Sequence, residues 1–149
     1  MKMKKTYFRT AAMVVAALTL TYCVSVPGNH PAYLHALENL RSARWMIEHR
    51  PGDLVRSVYE VDAVHEIDWA IFEIRKAAVN DGRNVDWHPA VDARPDSTKG
   101  NLHQALQYLG QAHSDVAQAE DNIFATGLRD RAIGGKEAAI KSTQGALND

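Results

Sequence analysis

The sequence predicts an all-α protein, an antiparallel four-helix bundle made of two αα-hairpins joined by a long link. Three observations carry this expectation. Four segments repeat apolar residues at i, i+3, i+4 and i+7, the spacing of one helix face. Beyond residue 26, no segment alternates apolar and polar residues as a half-buried strand would. A single offset of 69 residues carries Ala36, Leu37, Leu40 and Ala43 onto Ala105, Leu106, Leu109 and Ala112. The same offset carries Ala63, Ala70, Ile71 and Ala77 onto Ala132, Ala139, Ile140 and Ala146, which reads as an internal duplication.

Residues 1–26 read as a signal peptide. Lys2, Lys4, Lys5 and Arg9 form a positive start, and residues 11–20 an apolar stretch. Cys23 and Ser25 are small residues suited to a cleavage site, and Pro27-Gly28 stops any helix. The apolar run to Val26 is about 16 residues, short of the roughly 20 that a spanning helix needs. The chain is therefore expected to be exported and periplasmic, with no integral membrane segment after cleavage. Leu20-Thr21-Tyr22-Cys23 matches a lipobox at the Leu and the Thr, but Tyr22 is too large, which disfavours lipidation at Cys23.

Residues 27–149 are the bundle domain, with one hairpin over about 30–80, a link at 83–97 and a second hairpin over about 98–147. Helix 1 starts near Pro31, after Asn29-His30, and its apolar face is Tyr33, Ala36, Leu37, Leu40, Ala43 and Ile47. Pro51-Gly52 ends it, and Asp53 is the expected N-cap of helix 2. Helix 2 is expected to bury Val61, Val64, Ile67, Ala70, Ile71, Ile74, Ala77 and Ala78, and to stop at Asn80-Asp81-Gly82. Pro89 and Pro95 break the link, which is long enough to permit a crossover without demanding one. Helix 3 begins near Thr98 and packs with Leu102, Ala105, Leu106, Leu109, Ala112 and Val116. After a turn at Asp121-Asn122, helix 4 runs from Ile123 to Leu147 with Leu128, Ala132, Ile133, Ala139, Ile140 and Ala146 inward. Gly134-Gly135 sits within it, each glycine costing about 1 kcal/mol relative to alanine.

Charge and composition narrow the function. The whole chain carries 17 basic and 18 acidic residues; without residues 1–26 it keeps 13 basic ones, a net charge of −5. That disfavours nucleic acid as a partner. The one cysteine excludes an intramolecular disulfide and covalent haem attachment. No Gly-x-Ser-x-Gly, phosphate loop or glycosidase-like carboxylate pair is legible, so no catalytic residue is assigned and the protein is read as a non-enzyme.

The stretch His30-Pro31-Ala32-Tyr33-Leu34-His35-Ala36-Leu37 resembles the opening of a group of small exported bacterial proteins. Asp81-Gly82, His88-Pro89 and Val91-Asp92 resemble its middle, and Leu102-His103, Ala105-Leu106 and Ala112-His113 its second half. The resemblance implies an exported helical protein and supplies no mechanism.

Seven histidines stand at 30, 35, 49, 65, 88, 103 and 113. No two have the i, i+3 or i+4 spacing that lets one helix present both to a metal, and no Glu-x-x-His occurs, which rejects a di-iron bundle. Helix 4 has no histidine to face Met46, which rejects a haem held by Met and His across the outer helices. A looser set remains: His30, His35 and His88 with Asp86 and Asp92, gathered at a bundle end, can bind Cu, Zn or Ni. Four charged groups fall on core stripes: Arg44, Asp68, His113 and Glu137. The first and third, and the second and fourth, are equivalent under the offset. They are expected to form one or two ion pairs inside or at the edge of the core, because buried charges must be paired. Trp45, Trp69 and Phe72 lie off the stripes, as a partner surface or as cover for a seam; Trp87 can insert into that seam. The sequence thus leaves two readings, a binding module of the cell envelope whose partner is an unknown envelope protein, or a small periplasmic metal-binding bundle.

Overall fold

The computed structural model describes residues 31–49, 51, 55–86, 91 and 97–149; residues 1–26, Asn29, His30, Gly52, Asp53, Trp87, His88, Pro89, Asp92 and Pro95 lie outside the described residues. Four helices, α1 (Tyr33–Glu48), α2 (Val58–Asn80), α3 (Thr98–Val116) and α4 (Ile123–Asn148), form a four-helix bundle. No strand occurs among the described residues.

Local chemistry sets the helix ends. Ser57, and not Asp53, caps α2. Its hydroxyl accepts from the Glu60 amide at 3.2 Å while the Glu60 carboxylate accepts from the Ser57 amide at 2.6 Å, a complete capping box. Gly82 ends α2 at φ 71°, with the Arg83 and Gly82 amides donating to the Ala78 and Val79 carbonyls at 2.8 and 3.0 Å. That is a Schellman motif, and the positive φ favours glycine. Ser97 caps α3 through the Gly100 amide at 3.0 Å, and Asn122 caps α4 through the Phe124 amide at 3.0 Å.

Polar contacts between helix ends fix direction. The Asn101 amide at the start of α3 donates to the Met46 carbonyl at 3.2 Å, near the end of α1. Asn39 donates to Asp115 at 3.0 Å, and the Ala32 amide donates to the Asp115 carbonyl at 3.0 Å. Hence α1 and α3 run antiparallel. The Asn122 amide at the start of α4 donates to the Asn80 carbonyl at 3.0 Å, at the end of α2, so these two are antiparallel as well. The bundle cycles α1, α2, α4, α3, and the diagonal pairs are not in contact. All four neighbouring pairs are antiparallel, so α2 and α3 point the same way and the link between them joins opposite ends of the bundle. The crossover that the sequence left open is therefore present.

The closest packing is α2 on α4. Many of the buried residues of these two helices are small, Ala63, Ala70 and Ala77 from α2 with Ala125, Ala132, Gly135 and Ala139 from α4, beside the larger buried Glu73 and Lys136. A Cβ on Gly135 would stand 3.0 Å from the Trp69 ring, and one on Gly145 would stand 2.7 Å from the Tyr59 ring. These glycines let two backbones approach, which gives Gly135 a packing reason. Large residues fill the other side of the core: Tyr33, Leu37, Leu40, Met46 and Ile47 of α1 and Leu102, Leu109 and Val116 of α3. Each such side chain contributes about 1.5–3 kcal/mol when fully buried.

Three features of the expected core are corrected. Val61 is exposed, while Val64, Ile71, Leu106, Ile133, Ile140 and Ala146 are only partly buried. The inward stripe of α4 is Ala125, Leu128, Ala132, Gly135, Lys136, Ala139 and Thr143, turned away from the isoleucines. On α4 the close approach to α2 turns Ala132, Gly135 and Ala139 inward and leaves Ile133 and Ile140 on the flank. On α2, Glu60 and Glu73 are buried where no charge was expected. Both halves of the offset pairs Ala36/Ala105, Leu40/Leu109, Ala43/Ala112, Ala63/Ala132 and Ala70/Ala139 are buried.

Candidate functional site

Of the residues assigned to a metal cluster, His30, His88 and Asp92 lie outside the described residues. His35, exposed on the first turn of α1, lines two surface cavities. One, of about 250 Å³, also touches Tyr33 and Arg83; the other, of about 450 Å³, touches Glu38, Asn39 and Asp115. Asp86 is exposed, with its carboxylate 3.9 Å from Arg75. Among the described residues, no three His, Cys, Asp or Glu side chains come together so as to hold a metal ion.

The four charged stripe residues divide. Arg44 Nε lies 2.8 Å from Asp68, and another of its nitrogens 2.9 Å from Glu48. The Arg44 and Asp68 side chains are 39% and 51% exposed, so the pair bridges α1 and α2 at the surface edge of the core and contributes at most about 1 kcal/mol. His113 and Glu137 are not brought together. His113 is half-buried, Glu137 is exposed, and neither joins an ion pair among the described residues. The helix turn that would have carried Glu137 inward carries Lys136 instead.

Lys136 is 0% exposed, and its Nζ has no hydrogen-bond partner among the described residues. Burial pushes its amine down to about 8, against the pull of Glu137 and Asp115. Under the offset its counterpart is Ile67, a plain core residue. Nearby on the same seam, buried Glu73 accepts from Arg131 Nε and a terminal nitrogen at 2.8 and 2.7 Å. At the bundle end, the Tyr33 hydroxyl donates to Glu120, joining α1 to the α3–α4 turn. Burial and the Glu120 carboxylate hold the Tyr33 phenol well above its usual range.

An apolar surface lies on α2. Val61, Val64, His65, Asp68, Trp69 and Phe72 line a groove of about 600 Å³. Residues 61, 65, 68 and 72 are spaced as one helical stripe. Val61, Trp69 and Phe72 are 53%, 47% and 52% exposed. The Trp69 and Phe72 rings lie 5.9 Å apart at 33°, and Lys76 Nζ sits 4.8 Å above the Phe72 ring. Trp69 rests one edge near Gly135 of α4, which fixes its ring while leaving the other side open. Trp45 differs: it is half-buried and stacks on His49 at 4.5 Å. Chemically, the groove offers desolvation of an apolar ligand, with His65 and Asp68 as its polar lining and Lys76 beside Phe72.

The sequence reading placed Trp69 and Phe72 off the core, and their periodicity with His65 was the signal. It missed Lys136, Glu60 and Glu73, for which the only signal was their place in phase with the alanines of each helix. Comparisons with protein-family models, curated proteins and solved structures found no match, so the functional reading rests on this geometry.

Proposed function

We propose that this chain is an exported, non-enzymatic binding module of the cell envelope, and that its binding face is the outward side of α2. One observation carries the reading: the groove at Val61, Val64, His65, Trp69 and Phe72 leaves two aromatic rings about half exposed, at 47% and 52%. Contiguous apolar surface of this kind is used for partners in soluble proteins. The acidic balance left after residues 1–26 and the absence of a legible nucleophile support a binder of protein surfaces over an enzyme or a nucleic-acid binder.

The test is photo-crosslinking in living cells. A benzophenone amino acid replaces Phe72 in one strain and exposed Gln107 of α3 in another, and the chain is recovered by osmotic shock. The expected result is a chain lacking residues 1–26, with a discrete adduct from position 72 and none from 107. No adduct from position 72, or equal labelling from both, would overturn the binding face. A chain retained with residues 1–26 would overturn export.

A further inference from the structure

We propose that the occupant of the α2 face is a second copy of this chain, docked antiparallel about a two-fold axis beside Trp69. The inference rests on the reading of that face as the binding surface and names its partner. The argument is the order of exposed residues along α2. Asp62 lies on its amino-terminal half, Trp69 at the middle, and Lys76 on its carboxy-terminal half. Asp62 and Lys76 each stand seven residues from Trp69, two helical turns away on either side. A two-fold dimer is isologous: if residue i meets residue j, then j meets i. Antiparallel docking about Trp69 therefore sets the two Trp69 rings together and Asp62 opposite Lys76, the latter contact occurring twice, with His65 one residue out of register from Phe72.

Charge selects this arrangement over its alternatives. Among the described residues Asp62 has no ion-pair partner, and Lys76 has only a 3.8 Å approach to Glu73 and the Phe72 ring. Parallel docking would oppose Asp62 to Asp62 and Lys76 to Lys76, which is repulsive. An anionic lipid surface would meet Asp62 and Asp68. A second copy satisfies Asp62 and Lys76 with groups already present, while the Asp68 carboxylate beside the axis is already paired with Arg44. The stripe from Asp62 to Lys76 is about 21 Å long, at the small end of specific interfaces, so the association is expected to be weak and reversible.

Sedimentation equilibrium of the purified chain, from about 1 μM to about 1 mM, tests the proposal over the affinities expected of a weak specific dimer. Dimer formation is expected, with Asp62→Lys and Lys76→Asp each weakening it roughly tenfold and the double exchange restoring it. Trp69→Cys in a Cys23→Ser background reads the axis without touching the charges. It is expected to form an intermolecular disulfide in air, while Gln107→Cys in the same background is not. A chain that stays monomeric across the range overturns the proposal, as does a dimer unaffected by the charge exchanges or one in which Trp69→Cys stays reduced. If the chain is monomeric while position 72 still crosslinks to another envelope protein, this inference fails and the binding face stands. If position 72 is silent as well, both fail.

Discussion

Lys136 puts an amine where its counterpart in the first hairpin has a hydrocarbon, and the cost is readable as a pH dependence. The unfolded chain holds that proton up to the usual 10.5, the folded chain only to about 8. Between these values the unfolded state binds more protons, so this group raises stability as pH climbs from 8 to 10.5 and withholds it below 8. Tyr33 acts in the opposite sense above pH 10: its folded pKa is raised, so the unfolded chain loses the proton first and stability falls. Comparing thermal melts of the wild type with Lys136→Met at pH 7 and pH 10 isolates the lysine. The variant is expected to be the more stable at pH 7, by on the order of 3 kcal/mol, with the gap closing by pH 10. A gap that is the same at both pH values would mean that the amine stays charged in the bundle. Nothing in the local sequence marks Lys136 as buried. It sits between Gly135 and Glu137, and the offset favoured Glu137 because Asp68 is its counterpart. The true phase of α4 is set by its partner helix, which a single sequence does not display.

At the scale of the element, α4 buries a glycine and several alanines while two of its isoleucines stay partly exposed. Isoleucines 133 and 140 ride its flanks, and glycine 135 lies inside. The paired glycines of α4 therefore separate under the same substitution. Gly134 faces open space, so Gly134→Ala is expected to stabilise the helix by about 1 kcal/mol. Gly135→Ala would bring its Cβ to 3.0 Å from the Trp69 ring, and is expected to lower the melting temperature despite the better propensity. Urea unfolding of both variants checks this; two changes of the same sign would show that propensity alone governs the helix. Much of this scale was legible in the sequence. The starts of α3 and α4 and the stop at Gly82 follow from Ser97, Asn122 and the Asn80-Asp81-Gly82 run. The start of α2 was placed too early because Asp53 and Ser57 are both competent caps, and only Ser57 has a glutamate three residues on that turns back to its amide. The outward aromatics of α2 were legible because they broke the apolar period. What covers them was not, since a single sequence does not display the partner of a helix face.

For the whole molecule, the link from α2 to α3 joins opposite ends of the bundle, and each hairpin finds its closest packing in the other: α1 on α3, α2 on α4. Neither hairpin is a half-sized version of the fold. A chain ending at Asn122 lacks α4 and leaves the alanine face of α2 bare. It is expected to lose its cooperative thermal transition and to be digested by trypsin under conditions where the full chain survives. A sharp melt of that fragment would show that α1 and α3 suffice. The crossover also orders events in time. A chain that emerges amino end first presents α1 and α2 early, but α2 meets its main partner only when the final helix arrives. Until then the alanine face of α2 stays uncovered, so the four-helix core is complete only once the last segment of the chain has been made.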